Sequence, residues 1–180
     1  MERQMSNYTK KISDVTENLA LYLDPLSGQK QLQASTWHAE GSLLHTFSAR
    51  ECLTQPTYLT VQIDHDQHIH LAPKFLQYIN HSCEPNVYFD VSKREVRCLR
   101  DIEAGEEITF FYPSTEWSMD QAFECTCSNP SCLGIIIGAV QLDKNLIENY
   151  KLADHIMEKL SEQPPRGYGK KRVFFKGAHA

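Results

Sequence analysis

Apolar and polar residues alternate in short runs through the first two thirds of the chain, as strands with one buried face require. Tyr58 to Ile63 (YLTVQI) alternates over its length, and His68 to Leu71 reads as its hairpin partner across Asp64-His65-Asp66-Gln67. Asn18 to Leu23 opens the ordered chain, and Ser42 to Phe47 is another strand-like run. Asn86 to Val91 and Glu95 to Arg100 read as an antiparallel pair joined at Ser92-Lys93-Arg94. Glu107 to Tyr112 is a β-branched and aromatic strand, while Pro73 to Ile79 fits a short helix or turn. The period then changes. Leu142, Leu146, Tyr150, Ala153, Met157 and Leu160 recur at gaps of three and four, which predicts one amphipathic helix from Gln141 to Glu162. Pro164-Pro165 ends it, and a basic tail follows. Residues 1 to 18 read as a polar leader, frayed or loosely helical.

Composition narrows the class. A chain of 180 residues that is 41% hydrophobic can bury one real core. Its formal charge of −5 argues against general nucleic-acid binding, which leaves a basic footprint. No apolar run reaches the ~20 residues of a membrane span. Met1 to Asp14 lacks the apolar stretch of a secretory signal, so an intracellular location is expected, cytoplasmic or nuclear. Six cysteines are present, and Cys125, Cys127 and Cys132 fall within eight residues. In a reducing compartment that spacing points to a metal rather than to disulfides.

Three blocks carry the chemistry: Asn80-His81-Ser82-Cys83-Glu84-Pro85-Asn86, then Gly105-Glu106-Glu107-Ile108-Thr109-Phe110-Phe111-Tyr112, then Cys125-Thr126-Cys127-Ser128-Asn129-Pro130-Ser131-Cys132. In this order they resemble the SET-domain lysine methyltransferases with a post-SET cysteine segment. Gln77 to Gly134 carries the resemblance, which extends more loosely over Gly28 to Ala72. The implied fold is mainly β: short, curled sheets with a pseudoknot-like crossing, a zinc-bound post-SET loop and a C-terminal helix. The implied layout is a leader (1–18), the SET domain (19–118), the post-SET segment (119–138), the helix (139–163) and the tail (164–180).

Carried over by position, the resemblance makes Tyr112 the catalytic tyrosine and places Asn80 and His81 against S-adenosylmethionine. Phe123 and Leu133 would close over the cofactor's adenine. Phe110, Phe89 and Tyr88 are candidates for the aromatic walls of a lysine channel, although strand aromatics also fill cores. Phe110 in the T-F-x-Y position implies more than one methylation. The expected partner is a lysine-containing protein or peptide, histones among the candidates. An ordinary lysine has a pKa near ~10.4, so a channel must favour the neutral amine by desolvation and by the like charge of a sulfonium. Structural zinc takes four ligands, and the family supplies the fourth from the NHSC cysteine, here Cys83 beside Cys125, Cys127 and Cys132.

Other features read more plainly. His68 and His70 with Asp64 and Asp66 resemble a metal box, but Asp and His are also common turn and exposed-strand residues. Cys52 and Cys98 are expected to be buried free thiols. Gly169-Lys170-Lys171-Arg172 makes a tail lysine a further candidate substrate. Three positions depart from the family. Gly28-Gln29-Lys30 replaces a Gly-x-Gly, so either a Lys30 Cβ crowds the cofactor's methionine moiety or the loop takes a different course; Gln77 replaces an arginine, and Phe111 replaces a frequent aspartate. The alternative reading is a non-catalytic SET module that binds peptides or acts as a scaffold.

Overall fold

The computed structural model describes residues 9–162. Its first sheet is an antiparallel meander of β1 (Lys10–Asp14), β2 (Leu19–Leu23) and β3 (Lys30–Ala34). β2 and β3 turn Leu19, Leu21, Leu32 and Ala34 inward, whereas every side chain of β1 is exposed. The leader is thus partly a strand, neither frayed nor helical over Lys10–Asp14. Backbone pairing to β2 holds it, so no apolar face was there to be read.

β4 (Leu43–Thr46) is followed by β5 (Ser48–Leu53), β6 (Thr60–Asp64) and β7 (Gln67–Ala72), the last three forming a sheet of order β5-β7-β6. The expected hairpin is β6 with β7, where buried Val61 lies opposite buried Ile69. A short 3-10 turn, Lys74–Tyr78, stands where a helix or turn was expected.

The sheet that carries the site has the order β4-β10-β9-β11-β8, with β8 at Asn80–His81, β9 at Val87–Asp90, β10 at Glu95–Cys98 and β11 at Thr109–Phe110. β9 and β10 pair antiparallel as their sequences predict. β11 is parallel to both of its neighbours, with Thr109 opposite Asn80 and Phe110 opposite both His81 and Val87. Those neighbours are successive in the chain, so β11 passes between the two ends of the Ser82–Asn86 loop. This is the pseudoknot-like crossing. The Ser82 N–H donates to the Phe110 carbonyl and the Asn86 N–H to the Thr109 carbonyl, both at 3.1 Å.

Two cores flank the crossing. Phe110 joins the main one with Leu32, Ile69, Ile79, Val87 and Ile108, while its neighbour Phe111 points the other way into a second core with Leu142, Ile156 and Leu160. The period-2 alternation of an extended strand puts consecutive phenylalanines on opposite sides. The second core also explains why Phe111 stands where an aspartate is frequent. It is 2% exposed, and its ring stacks on Tyr150 at 3.7 Å.

That stack breaks the predicted helix. Instead of one helix across 141–162, the chain forms a 3-10 turn at Ala139–Gln141, α1 at Lys144–Ile147 and α2 at Asp154–Glu162. Asp143 caps α1, its side chain accepting the Leu146 N–H at 3.0 Å. Between the helices, Tyr150 turns onto Phe111 and the Ala153 N–H bonds the Ser114 carbonyl. The stripe changes phase there, so α2 buries Ile156 and Leu160 but leaves Met157 47% exposed.

β12 (Phe123–Glu124) and β13 (Ile135–Ile136) bracket the cysteine loop as a two-stranded sheet. Just beyond it, Gly138 has φ +116, and a Cβ there would lie 2.5 Å from the Trp117 carbonyl oxygen. Gly138→Ala is therefore expected to destabilise the protein. The backbone strain alone costs about 1–3 kcal/mol, to which the clash adds, and a lowered urea midpoint would show it. An unchanged midpoint would mean that the 137–140 segment shifts freely.

Candidate active site

The crossing delivers Tyr112 to the point where β11 ends and a 3-10 turn, Tyr112–Ser114, begins. Its ring lies 4.7 Å from Phe110, 5.2 Å from His81 and 5.9 Å from Phe123, centroid to centroid. The Tyr112 hydroxyl donates to the Ile79 carbonyl at 3.2 Å. Burial, together with the charges of Glu107 and Glu116, pushes the phenol well above its ordinary range, so it stays protonated at neutral pH.

His81 Nδ1 accepts the Tyr112 backbone N–H at 3.2 Å. In a neutral ring the proton then sits on Nε2, which lies 3.4 Å from the Cys83 sulfur. Burial pulls the His81 pKa down to about 4, which favours that neutral form. Asn80 ties the site together from the other side. Its Nδ2 donates to Glu107 Oε1 at 2.8 Å and to the Lys30 carbonyl at 3.2 Å. Burial raises the Glu107 pKa, and the Asn80 bond opposes that rise.

Two cavities meet at Tyr112. A cleft of about 520 Å³ is lined by Asp24, Gln29, Gln31, Asn80, His81, Glu107, Phe123 and Tyr112 among others, a size ordinary for a small-molecule site. A narrow channel of about 40 Å³ is lined by Thr60, Val61, Leu76, Ile79, Phe110, Glu116 and again Tyr112. Tyr58 and Met119 also border both cavities. Asp24, Glu107 and Glu124 line the cleft with no lysine or arginine among the described lining residues, which suits a cationic ligand.

Beside the cleft, Cys83, Cys125, Cys127 and Cys132 bring their sulfurs within 4.8 Å of one another. None is in a disulfide. Four sulfurs ~2.3 Å from one tetrahedral ion would stand about 3.8 Å apart, and the Cys83–Cys125 separation is 3.9 Å. The Leu133 N–H points at the Cys83 sulfur at 3.4 Å, as it would towards a thiolate. The donor set fits zinc. The His68/His70 box does not assemble: His68 faces Glu116 at 3.7 Å in the interior and His70 faces Glu51 at 3.8 Å.

The other expected residues divide. Phe110 and Phe123 line the two cavities, Phe110 the channel and Phe123 the cleft. Phe89 instead packs in the main core behind Phe110, their rings 4.6 Å apart. Tyr88 lies on a separate groove with Lys151 4.4 Å over its ring, so the structure does not bring it to the channel. Leu133 packs against the second core. Lys30 is exposed, with its ammonium 5.2 Å over the Tyr78 ring, while Gln29 and Gln31 face the cleft. Strand alternation thus turns the lysine away and removes that crowding. Cys98 is buried as expected, but Cys52 is exposed on the outer strand β5. The tail lysines lie outside the described residues.

Sequence reasoning missed Tyr58 and Met119, which no motif flags, and gave no role to Asn86. Asn86 sits inside the NHSC block and is 2% exposed. Its Oδ1 accepts the Thr109 N–H and its Nδ2 donates to the Glu107 carbonyl, both at 2.8 Å.

A β11 strand threaded through the loop that follows Asn80-His81, ending on a tyrosine between two cavities, defines a SET-type site. Residues 3–113 match the SET domain family, and the chain belongs to it. It is 39% identical over 123 residues to a protein from Aspergillus flavus, Methyltransferase flvH, a match covering 67% of this chain and 68% of that one. It is 36% identical over 90 residues to a histone-lysine N-methyltransferase, H3 lysine-36 specific, from Schizosaccharomyces pombe. That match covers 47% of this chain and only 11% of the far longer relative. The fold is similar to that of KRYPTONITE in complex with mCHH DNA, an H3(1-15) peptide and SAH, with a TM-score of 0.52 at 20% identity. That likeness covers 66% of this chain and 29% of the other. Among the described residues no helix is long and apolar enough to cross a membrane.

Proposed function

We propose that this protein is an S-adenosylmethionine-dependent protein-lysine methyltransferase with a structural zinc at its four clustered cysteines. The observation that carries the reading is the position of Tyr112, which borders the cleft on one side and the narrow channel on the other. When bound in the cleft, S-adenosylmethionine supplies an electrophilic methyl group for in-line displacement by a lysine amine. The chain's own part is to position the reactants and exclude water. Tyr112 keeps its proton and holds the channel's inner end. Phe110 gives that end an aromatic wall that tolerates a methylated cation. The acids of the cleft, Asp24, Glu107 and Glu124, offset a sulfonium's charge, and Phe123 covers the cleft beside His81.

Zinc would be held by Cys83, Cys125, Cys127 and Cys132, tying the lid segment to the crossing and adding folding energy. The substrate class that the histone-lysine relatives support is a lysine in a basic peptide, as in a histone tail. A nuclear location goes with that substrate. The non-catalytic alternative loses its main support, because Lys30 lies outside the cleft lining.

Calorimetric titration of zinc-loaded protein with S-adenosylmethionine should give one site of micromolar affinity or better, followed by transfer of labelled methyl to histone peptides. A folded protein that neither binds the cofactor nor transfers methyl in the presence of peptide would overturn the reading. Cys127→Ser should lower zinc well below one ion per chain and expose residues 119–138 to proteolysis. Unchanged metal content would remove Cys127 from the ligand set.

A further inference from the structure

Four residues beyond Tyr112, one buried carboxylate bonds to a strand that lines the channel. Glu116 is 5% exposed. Its Oε1 accepts the backbone N–H of Gln62 on β6 at 2.6 Å, and its own N–H donates to the Tyr112 carbonyl at 3.0 Å. Its carbonyl accepts the Ala139 N–H at 2.8 Å. The same strand β6 contributes Thr60 and Val61 to the channel, and Glu116 itself lines that channel. One residue therefore joins the wall strand, the turn bearing Tyr112 and the segment that follows the cysteine loop.

A buried carboxylate needs a structural reason, since desolvation is costly. Gln62 and Thr115 supply two donors to it, the latter at 3.4 Å, and His68 Nδ1 stands 3.7 Å from the other oxygen. Gln62 in turn accepts the Trp117 N–H at 2.9 Å, so the clasp between β6 and the 115–117 segment is reciprocal. Nothing in the NHSC or GEE-x-T-x-x-Y blocks calls for it.

We propose that Glu116 is a positioning residue for lysine methylation, fixing the width of the channel by holding β6 against the turn that carries Tyr112. The proposal rests on the reading of the narrow channel as the lysine site. Glu116→Ala breaks the bond to Gln62 and lets the β6 wall move. Glu116→Gln keeps an oxygen for the Gln62 N–H and tests whether that acceptor is what matters.

The experiment compares wild type, Glu116→Ala and Glu116→Gln in three measurements: S-adenosylmethionine affinity, steady-state methylation of a histone peptide, and hydrogen exchange of Thr60–Asp64. The expected result for Glu116→Ala is a peptide KM raised about tenfold or more, unchanged cofactor affinity and faster exchange along β6. Glu116→Gln should restore KM and exchange towards wild type. An alanine variant with lowered melting temperature but wild-type KM would reduce Glu116 to a structural residue and overturn the proposal. Unchanged exchange in β6 would overturn it equally. If wild type binds cofactor but methylates no lysine, the functional reading fails, and the positioning role for lysine falls with it even where the exchange data show the clasp.

Discussion

Tyr112→Phe is expected to cut methyl transfer about 10²–10³-fold, the loss typical of removing one preorganised polar group from a reacting centre. Cofactor affinity and zinc content should stay near wild type. Among the described residues the hydroxyl bonds the Ile79 carbonyl, and leaving that acceptor unpaired should cost folding about 1–3 kcal/mol. The ring keeps its contacts with His81, Phe110 and Phe123, which hold the shape of the site. The backbone N–H bond to His81 is also untouched. Measuring kcat for a histone peptide beside a calorimetric cofactor titration separates chemistry from binding. Full activity in the phenylalanine variant would remove the catalytic role from Tyr112, and equal losses in both measurements would point to a collapsed site.

The crossing was legible because its three blocks are local in sequence, although their meeting is not. Thr109 meets Asn80 and Phe110 meets His81 across about thirty residues, a pairing no periodicity encodes. Only the resemblance supplied it. The cysteine cluster was legible for the same reason, with three cysteines in one loop and the fourth in the NHSC block.

What stayed hidden was held by backbone or by isolated side chains. β1 carries no apolar face, so its pairing with β2 left no pattern. The broken helix failed for the opposite reason. Spacings of three and four span a break whenever both halves bury apolar residues, and Tyr150 serves the stack on Phe111 rather than a helix face. Tyr88 and Phe89 show the limit of reading aromatics as channel walls: alternation sends one into the core and the other to a separate groove. Lys30 shows the reverse error, a side chain expected in the cleft that alternation turns out of it. Glu116 lay in no motif, and its bond to Gln62 spans 54 residues.

Asn86→Ala is expected to be among the most destabilising substitutions in the chain. It strands the Thr109 N–H and the Glu107 carbonyl inside the crossing, each worth about 1–3 kcal/mol when left unpaired. Together they threaten a large part of a typical ~5–15 kcal/mol stability, so the urea midpoint should fall sharply. Cofactor affinity should fall with it, because β11 would no longer hold Asn80 and His81 in register. Asn86→Asp isolates the donor. Its carboxylate can still accept the Thr109 N–H but sets an oxygen against the Glu107 carbonyl. Burial should raise that new carboxyl's pKa, so the folded state binds its proton more tightly than the unfolded chain does. Stability should then rise as pH falls towards the unfolded value, since the protonated form regains a donor. A defect that ignores pH would show that the Glu107 carbonyl does not depend on Asn86, leaving the Thr109 N–H as the side chain's one contribution to the crossing.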